Sequence, residues 1–196
     1  KKGKNERYLK DGGELESYLV SSALNDTTIE IDGTAVEVET VKTLVNKFRK
    51  YNESLDSYDR HYDALFLKTL VEDATLKADM MKDKTKLESY IKMISDKLNL
   101  HGQVSLKKYN LKVEEDLKNL GYQIRTQVTS SLKTKNFRIG MQFADSAEFA
   151  SLMNQFEGIQ KYQKSTFKLK DQNNSTSHEG LHAFAKFVCH FSSSKP

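Results

Sequence analysis

The chain has 196 residues, of which 37% are hydrophobic and 30% charged, and its formal net charge is +4. Its mean hydropathy is −0.66, and no apolar run approaches the ~20 residues that cross a bilayer. This composition excludes a membrane span. We expect a soluble, cytoplasmic protein of one large domain or two small lobes, without a signal peptide.

The chain opens with a segment whose pattern predicts a strand at 4–9, a turn at 11–13 and a helix from Glu14. After residue 26, apolar and polar residues alternate on both sides of Asp32-Gly33. Asp-Gly between two alternating runs is typical of a tight β-hairpin, because both residues tolerate a positive φ. We therefore predict a hairpin over 27–39.

The middle of the chain is predicted to be helical. Between 39 and 60 the apolar residues follow the i, i+3, i+4, i+7 spacing of an amphipathic helix. Two further helices are predicted at 64–71 and 84–98, and we expect the second of them to stop at His101-Gly102.

The second half of the chain returns to a period of two, which is typical of strands. Strands are predicted at 104–115, 121–132 and 135–143. They are followed by a helix from Asp145-Ser146, a short strand at 166–169, a polar loop at 171–177 and a final helix at 180–191. The predicted fold class is α+β, a helical lobe at about 39–100 with an antiparallel sheet and helix lobe at about 103–196.

Two features bear on enzymatic chemistry. The lone Cys189 excludes a disulfide framework and a multi-cysteine zinc site, and its neighbours Phe184, Phe187 and Val188 favour a small core position. The sequence has no G-x-S-x-G, no glycine-rich phosphate loop and no D-x-D pair for magnesium. We therefore predict no catalytic residue.

The sharpest motif is H-E-x-x-H at 178–182. Two histidines four residues apart on a helix can bind zinc, with the intervening Glu179 as the base. The motif follows a polar run, so we expect His178 at a helix entrance, where Gly180 loosens the first turn. No third ligand is apparent, and the zinc site at His178 and His182 is kept only as an alternative to solvated histidines.

Charge is distributed unevenly along the chain. Residues 10–40 carry eight acids against one base, a net of −7, whereas residues 121–170 carry eight bases against three acids, a net of +5. Basic patches can neutralise DNA phosphates, although most are only a solvated face. The candidate DNA-binding residues are Arg125, Lys133, Lys135, Arg138, Lys161 and Lys164.

The first 24 residues resemble a segment of the B subunit of bacterial DNA gyrase, with the pattern K-x-G-K-x-x-x-Y-x-K-D. The matching residues are Lys2, Gly3, Lys4, Tyr8, Lys10, Asp11, Tyr18, Ala23 and Leu24. Gly12 and Gly13 depart from the family, which more often has acids there. The run at 38–71 is similar to the long helical start of the large insertion in Gram-negative gyrase B subunits.

The resemblance implies that residues 1–26 leave a TOPRIM domain and that 27–196 form a single accessory insertion domain. It would explain the missing initiator Met, because the catalytic Glu and the D-x-D would lie before residue 1. It further implies a non-catalytic part of an ATP-dependent type II topoisomerase, which would buttress the TOPRIM domain and couple DNA binding to ATP turnover.

The resemblance also implies partners and cofactors. Double-stranded DNA, the gyrase A subunit and the rest of the B subunit would be partners, and no membrane would be involved. ATP and magnesium would serve the parent enzyme, and this segment would hold no cofactor. Two alternatives remain at this point, a stand-alone zinc metallopeptidase and a protein-interaction module.

Overall fold

The computed structural model describes residues 20–21, 24, 27–72, 76–172 and 174–193, without side chains at 101–105 and 190–193. The predicted strand at 4–9 and the helix start at Glu14 lie outside these residues. The strands are β1 (Thr28–Ile31), β2 (Thr34–Val36), β3 (Lys108–Asp116), β4 (Gly121–Thr129), β5 (Thr134–Ile139), β6 (Thr166–Lys170) and β7 (Ser175–Glu179). The helices are α1 (Val38–Ser57), α2 (Ala64–Glu72), α3 (Lys84–Ser105), α4 (Met141–Ala144), α5 (Ala147–Glu157) and α6 (Leu181–Ser193). The α+β class is confirmed.

The chain divides into two compact units. The split unit comprises the described residues up to Lys50 and those from Gly158 onward, and the central unit is Tyr51–Glu157. This division differs from the predicted helical and sheet lobes, because each unit has its own sheet and its own helices. Among the described residues, none of the helices is apolar over a length that could cross a membrane.

The split unit contains an antiparallel sheet in the order β2-β1-β6-β7. The predicted hairpin is present, and Asp32 and Gly33 have φ values of 51° and 80°, as a two-residue turn requires. One face of the sheet is buried by α6, where the rings of Phe167 and Phe184 stack with centroids 4.5 Å apart. This stacked pair lies at the core of the unit.

The central unit contains a three-stranded antiparallel meander in the order β3-β4-β5. Its apolar face is buried, and Phe137 of β5 packs edge-on against Tyr62 and Phe66 at centroid distances of 5.7 and 5.2 Å. Helix α5 begins where predicted, because the Ser146 hydroxyl accepts a hydrogen bond from the Phe149 N–H. Its buried residues are Phe149, Leu152 and Phe156.

Several predicted boundaries in the central unit are wrong. Strand β3 begins at Lys108 and not at 104, and β4 ends at Thr129 and not at 132. Helix α3 does not stop at His101-Gly102 but continues to Ser105. Leu106, directly after the helix, has a φ of 54°. The helix therefore ends before a leucine in the left-handed conformation, and not at Gly102. The last strand of the meander ends at Ile139, and the short helix α4 replaces its predicted continuation to 143.

The predicted polar loop at 171–177 is also wrong in part, because Ser175–Glu179 form strand β7. This strand pairs with β6, and its half-buried residues are Thr176 and His178, neither of which gives an apolar signal. Helix α6 then begins at Leu181. The hydrogen bonds to β6 hold a strand that hydrophobic alternation does not reveal.

The predicted core position of Cys189 is wrong, because this cysteine is exposed. The buried residues of α6 are Leu181, Phe184, Ala185 and Val188, which share one helical face at i, i+3, i+4 and i+7. The next residue is rotated by about 100° from Val188 and leaves that face. Aromatic neighbours in sequence are therefore not neighbours in the core here.

Candidate nucleic-acid interface

The meander of the central unit has one polar face, which we call the basic sheet face. Because side chains alternate along each strand, every second residue of β3, β4 and β5 points away from the core. These residues are Lys108, Asn110, Lys112, Glu114, Asp116, Gly121, Gln123, Arg125, Gln127, Thr129, Thr134, Asn136 and Arg138, of which Asp116 alone is buried. Four bases against two acids give this face a net charge of +2.

A row of three bases crosses the centre of the basic sheet face. Lys112 is paired with Arg125, and Arg125 is paired with Arg138 on the third strand. Directly opposed like charges destabilise a sheet, so this row reduces the stability of the meander. Within the described part of the chain, the head groups of Lys112 and Arg125 have no hydrogen-bond or ion-pair partner.

The half-buried acid of the face, Glu114, lies beside the third base of the row. Its carboxylate accepts hydrogen bonds from the Nε of Arg138 and, at 3.0 Å, from the side-chain amide of Gln123. Glu114 therefore offsets the charge of Arg138 and leaves the other two bases of the row uncompensated.

The turn between β3 and β4 fixes the register that builds the row. The Asp116 carboxylate accepts hydrogen bonds from the side-chain amide of Asn119 at 2.7 Å and from two backbone N–H groups of the turn. These bonds, led by that from Asn119, lower the pKa of Asp116. At Gly121 an added Cβ would lie 2.5 Å from the carbonyl oxygen of Met81. A one-residue slip of β4 would move Arg125, the base of this strand, to the buried face.

The structure does not bring all the candidate DNA-binding residues together. Arg125 and Arg138 lie on the basic sheet face, and Lys133 is exposed in the turn that follows β4. Lys161 and Lys164 belong to the split unit, where the Lys161 ammonium lies 4.7 Å from the centroid of the Tyr162 ring. The sequence window therefore mixed two separate sets of bases.

Lys135 lies on the opposite face of the meander from the basic row. Its ammonium lies 3.4 Å from the Asp59 carboxylate and donates to the backbone carbonyls of Asp59 and Tyr62, the second at 2.7 Å. The half-buried ammonium is therefore already bound by these acceptors. This position fits a role for Lys135 in holding the sheet to the segment after α1.

A buried carboxylate holds the same region of the central unit. Asp63 is 3% exposed and accepts hydrogen bonds from the Phe66 N–H at 3.0 Å, the Lys107 ammonium at 2.7 Å and the Tyr109 hydroxyl at 2.9 Å. A buried charge is tolerated only when it is paired and hydrogen-bonded in this way. The cluster ties the start of α2 to the start of β3.

The sequence prediction did not include Lys108 and Lys112, because the basic region was taken to begin at residue 121. The signal was present in the period of two within β3, where Lys108, Asn110 and Lys112 share one face. Aligning β3 against β4 across their turn would have paired Lys112 with Arg125.

The H-E-x-x-H residues do not lie on one helix, so the expected helix entrance at His178 is wrong. His178 and Glu179 end strand β7, Gly180 turns the chain at φ 83°, and His182 is in α6. The His178 ring packs on that of Phe187 at 4.2 Å, and burial lowers its pKa. Across the described residues, no three His, Cys, Asp or Glu side chains gather as metal ligands.

Comparison with known proteins gives one family and several relatives. The family described as the DNA gyrase B subunit insert domain matches residues 28–163. The DNA gyrase B subunit of Rickettsia prowazekii is 38% identical over 64 residues, and that of Rickettsia felis is also 38% identical over 64. The corresponding protein of Rickettsia bellii is 36% identical over 64 residues. Each match covers 32% of this chain and 8% of the relative.

Proposed function

The chain belongs to the DNA gyrase B subunit insert domain family, and we propose that it is a non-catalytic accessory segment of a gyrase B subunit. In that setting it buttresses the TOPRIM domain and couples DNA binding to ATP turnover during negative supercoiling. Its partners are the rest of the B subunit, the A subunit and double-stranded DNA. The match over residues 28–163 carries the proposal, because it spans parts of both compact units.

Two observations support an accessory role. The buried carboxylates of Asp63 and Asp116 are engaged in holding the helices, strands and turns of the central unit together. The basic sheet face is an open surface, which suits a macromolecular partner more than a small substrate.

ATP and magnesium would serve the parent enzyme, and we assign their sites to other parts of the parent subunit. Among the described residues no three carboxylates, histidines or cysteines converge, and the sequence has no glycine-rich phosphate loop. We derive no step through either group here.

The test is a deletion in the parent B subunit, reconstituted with its A subunit. Replacing residues 27–193 by a short Gly-Ser linker should lower supercoiling and the stimulation of ATP hydrolysis by DNA. Hydrolysis without DNA should stay unchanged, because the nucleotide site is elsewhere. Unaltered stimulation by DNA in a variant with normal subunit assembly would overturn the proposal.

A further inference from the structure

We propose that the basic sheet face binds the phosphate backbone of double-stranded DNA, with the row Lys112, Arg125 and Arg138 at its centre. The inference rests on the proposed function for the presence of DNA and assigns the surface and the type of contact. Charge complementarity selects the partner, because four bases and two acids give this face a net charge of +2, and one of the acids, Asp116, is buried in the turn.

The row has dimensions that suit a duplex. Neighbouring strands are about 4.8 Å apart, so the row spans about 10 Å. Duplex DNA carries one negative charge per ~1.7 Å of its axis, so about six phosphate charges lie within that length. Two of the three bases are arginines, whose planar head groups bind phosphate oxygens in a bidentate manner.

A second row beside the first consists of neutral amides. Asn110 is paired with Gln127, and Gln127 with Asn136, whose side-chain oxygen accepts a 3.2 Å hydrogen bond from the Gln127 amide. Amide groups donate to phosphate and sugar oxygens without adding charge, and such contacts position a protein on DNA. The two rows together provide donors over a band of the sheet.

The composition of the face also favours duplex over single-stranded DNA. Proteins that hold single strands use aromatic side chains on which bases stack. The basic sheet face contains no aromatic residue, and its lysines, arginines and amides end in donors. We therefore expect contacts to the backbone and little dependence on base sequence.

Glu114 opposes this binding and provides a test with an unusual sign. Its carboxylate hydrogen-bonds Arg138 and adds a negative charge next to the row. The substitution Glu114→Gln keeps an acceptor for Arg138 and removes the charge. DNA affinity should therefore rise, whereas removal of a structural acid alone would leave it unchanged or lower it.

The experiment titrates a labelled duplex of about 40 bp with the 196-residue chain between about 50 and 200 mM salt. Each lost phosphate contact reduces the slope of log K against log salt by about 0.9. Affinity decreases by some factor between the two salt concentrations. In the triple variant Lys112→Gln, Arg125→Gln, Arg138→Gln, this factor should be about 40 times smaller than in the unsubstituted chain. In Glu114→Gln it should be about three times larger.

The matched control is Lys82→Gln with Lys92→Gln, two exposed lysines of the central unit outside the basic sheet face. This variant should have the same slope of log K against log salt as the unsubstituted chain. A single strand of the same length should bind more weakly than the duplex. Three results would each overturn the proposed DNA-binding surface. They are no duplex binding at low salt, the same salt slope in the triple variant as in the unsubstituted chain, and equal slopes in the triple variant and the control.

The two proposals fail in distinguishable ways. In one outcome, the triple variant binds DNA with the same salt slope as the unsubstituted chain while the linker deletion abolishes the stimulation of ATP hydrolysis by DNA. In that case the proposed surface is wrong and the accessory role stands. If the triple variant loses its salt dependence while the deletion changes nothing, the accessory role is wrong and the surface stands. A surface built for an acidic protein would leave the duplex unbound.

Discussion

The two sheets of the molecule share one architecture and differ in the charge of their exposed faces. Each is antiparallel, with one buried apolar face and one polar face. In the split unit the charged residues of the polar face are Glu30, Lys168, Lys170 and Glu179, which sum to zero, whereas the basic sheet face has a net charge of +2. The charges on the sheet of the split unit balance one another, whereas the basic sheet face has an excess of positive charge that favours a negatively charged partner.

The strand register produces this difference. In the split unit Glu30 is paired with Lys168 and bonds the Lys170 ammonium at 2.9 Å, and the hydrogen bond from Lys170 lowers the pKa of Glu30. In the central unit the register places like charges opposite each other at Lys112 and Arg125. Charge pattern therefore indicates which of two similar sheets is a binding surface.

The largest effect should come from breaking the attachment of the central sheet. Asp63→Ala should cost about 3 kcal/mol, because it removes three hydrogen bonds and leaves the Lys107 ammonium without its buried partner. Urea denaturation with hydrogen exchange on β4 measures this cost. Asp56→Ala, at an exposed position of the same unit, should change stability by less than about 0.5 kcal/mol.

A comparable test on the split sheet uses Gly180, where β7 turns into α6. Gly180→Ala should cost about 2 kcal/mol or more, because φ is 83° and the new Cβ would lie 2.7 Å from the Gln163 carbonyl oxygen. Gly33→Ala is the control, since φ is 80° there and nothing lies within 4 Å of the new Cβ. Equal losses in the two variants would show that the overlap has no effect.

A stabilising change would strengthen the central sheet alone. Thr126 is fully buried on β4, and among the described residues its hydroxyl has no hydrogen-bond partner. Thr126→Val should raise the free energy of unfolding by about 1 kcal/mol, because an unpaired buried hydroxyl is costly. Thr129→Val, on the exposed face of the same strand, should give no such gain. A loss at Thr126 would indicate an ordered water as its partner.

The smallest expected effect is the pH dependence of the split sheet. Burial lowers the pKa of His178 in the folded protein below its ordinary value near 6.5. The unfolded chain therefore takes up the proton first, so stability present above pH 6.5 decreases as the pH falls through the folded pKa. Urea midpoints at pH 7.5 and 5.5, followed by NMR signals of β6, should differ less in His178→Gln. The same pH dependence in that variant would assign it to another group.

Secondary structure followed from sequence wherever a local pattern was strong. Asp32-Gly33 fixed the hairpin, and the i, i+3, i+4 spacing found α1, α2 and most of α3. The pattern failed at β7, because a polar strand is specified by its pairing with β6 and not by its own residues. It failed at His101-Gly102, because a single glycine costs a helix only about 1 kcal/mol and α3 continues past it to Ser105.

The sequence shows where bases are concentrated along the chain but not which face of the sheet each of them occupies. Counting bases selected Arg125, Arg138 and Lys135 alike, although Lys135 lies three residues from Arg138 on the opposite face of the same strand. Only the register shows which face a residue occupies and which residue on the next strand it meets. The role of Glu114 depends on this cross-strand geometry too.

The split unit has a consequence for the order of events during synthesis. Strand β1 pairs with β6, and Thr166 lies 135 positions after Ile31. At about 5–20 residues per second, β1 waits roughly 7 to 27 seconds for its partner on the ribosome. The whole of 51–157 is made in that interval and can fold first, because its strands pair locally. Until β6 emerges, one edge of β1 is open, and any delay in the central unit prolongs that exposure.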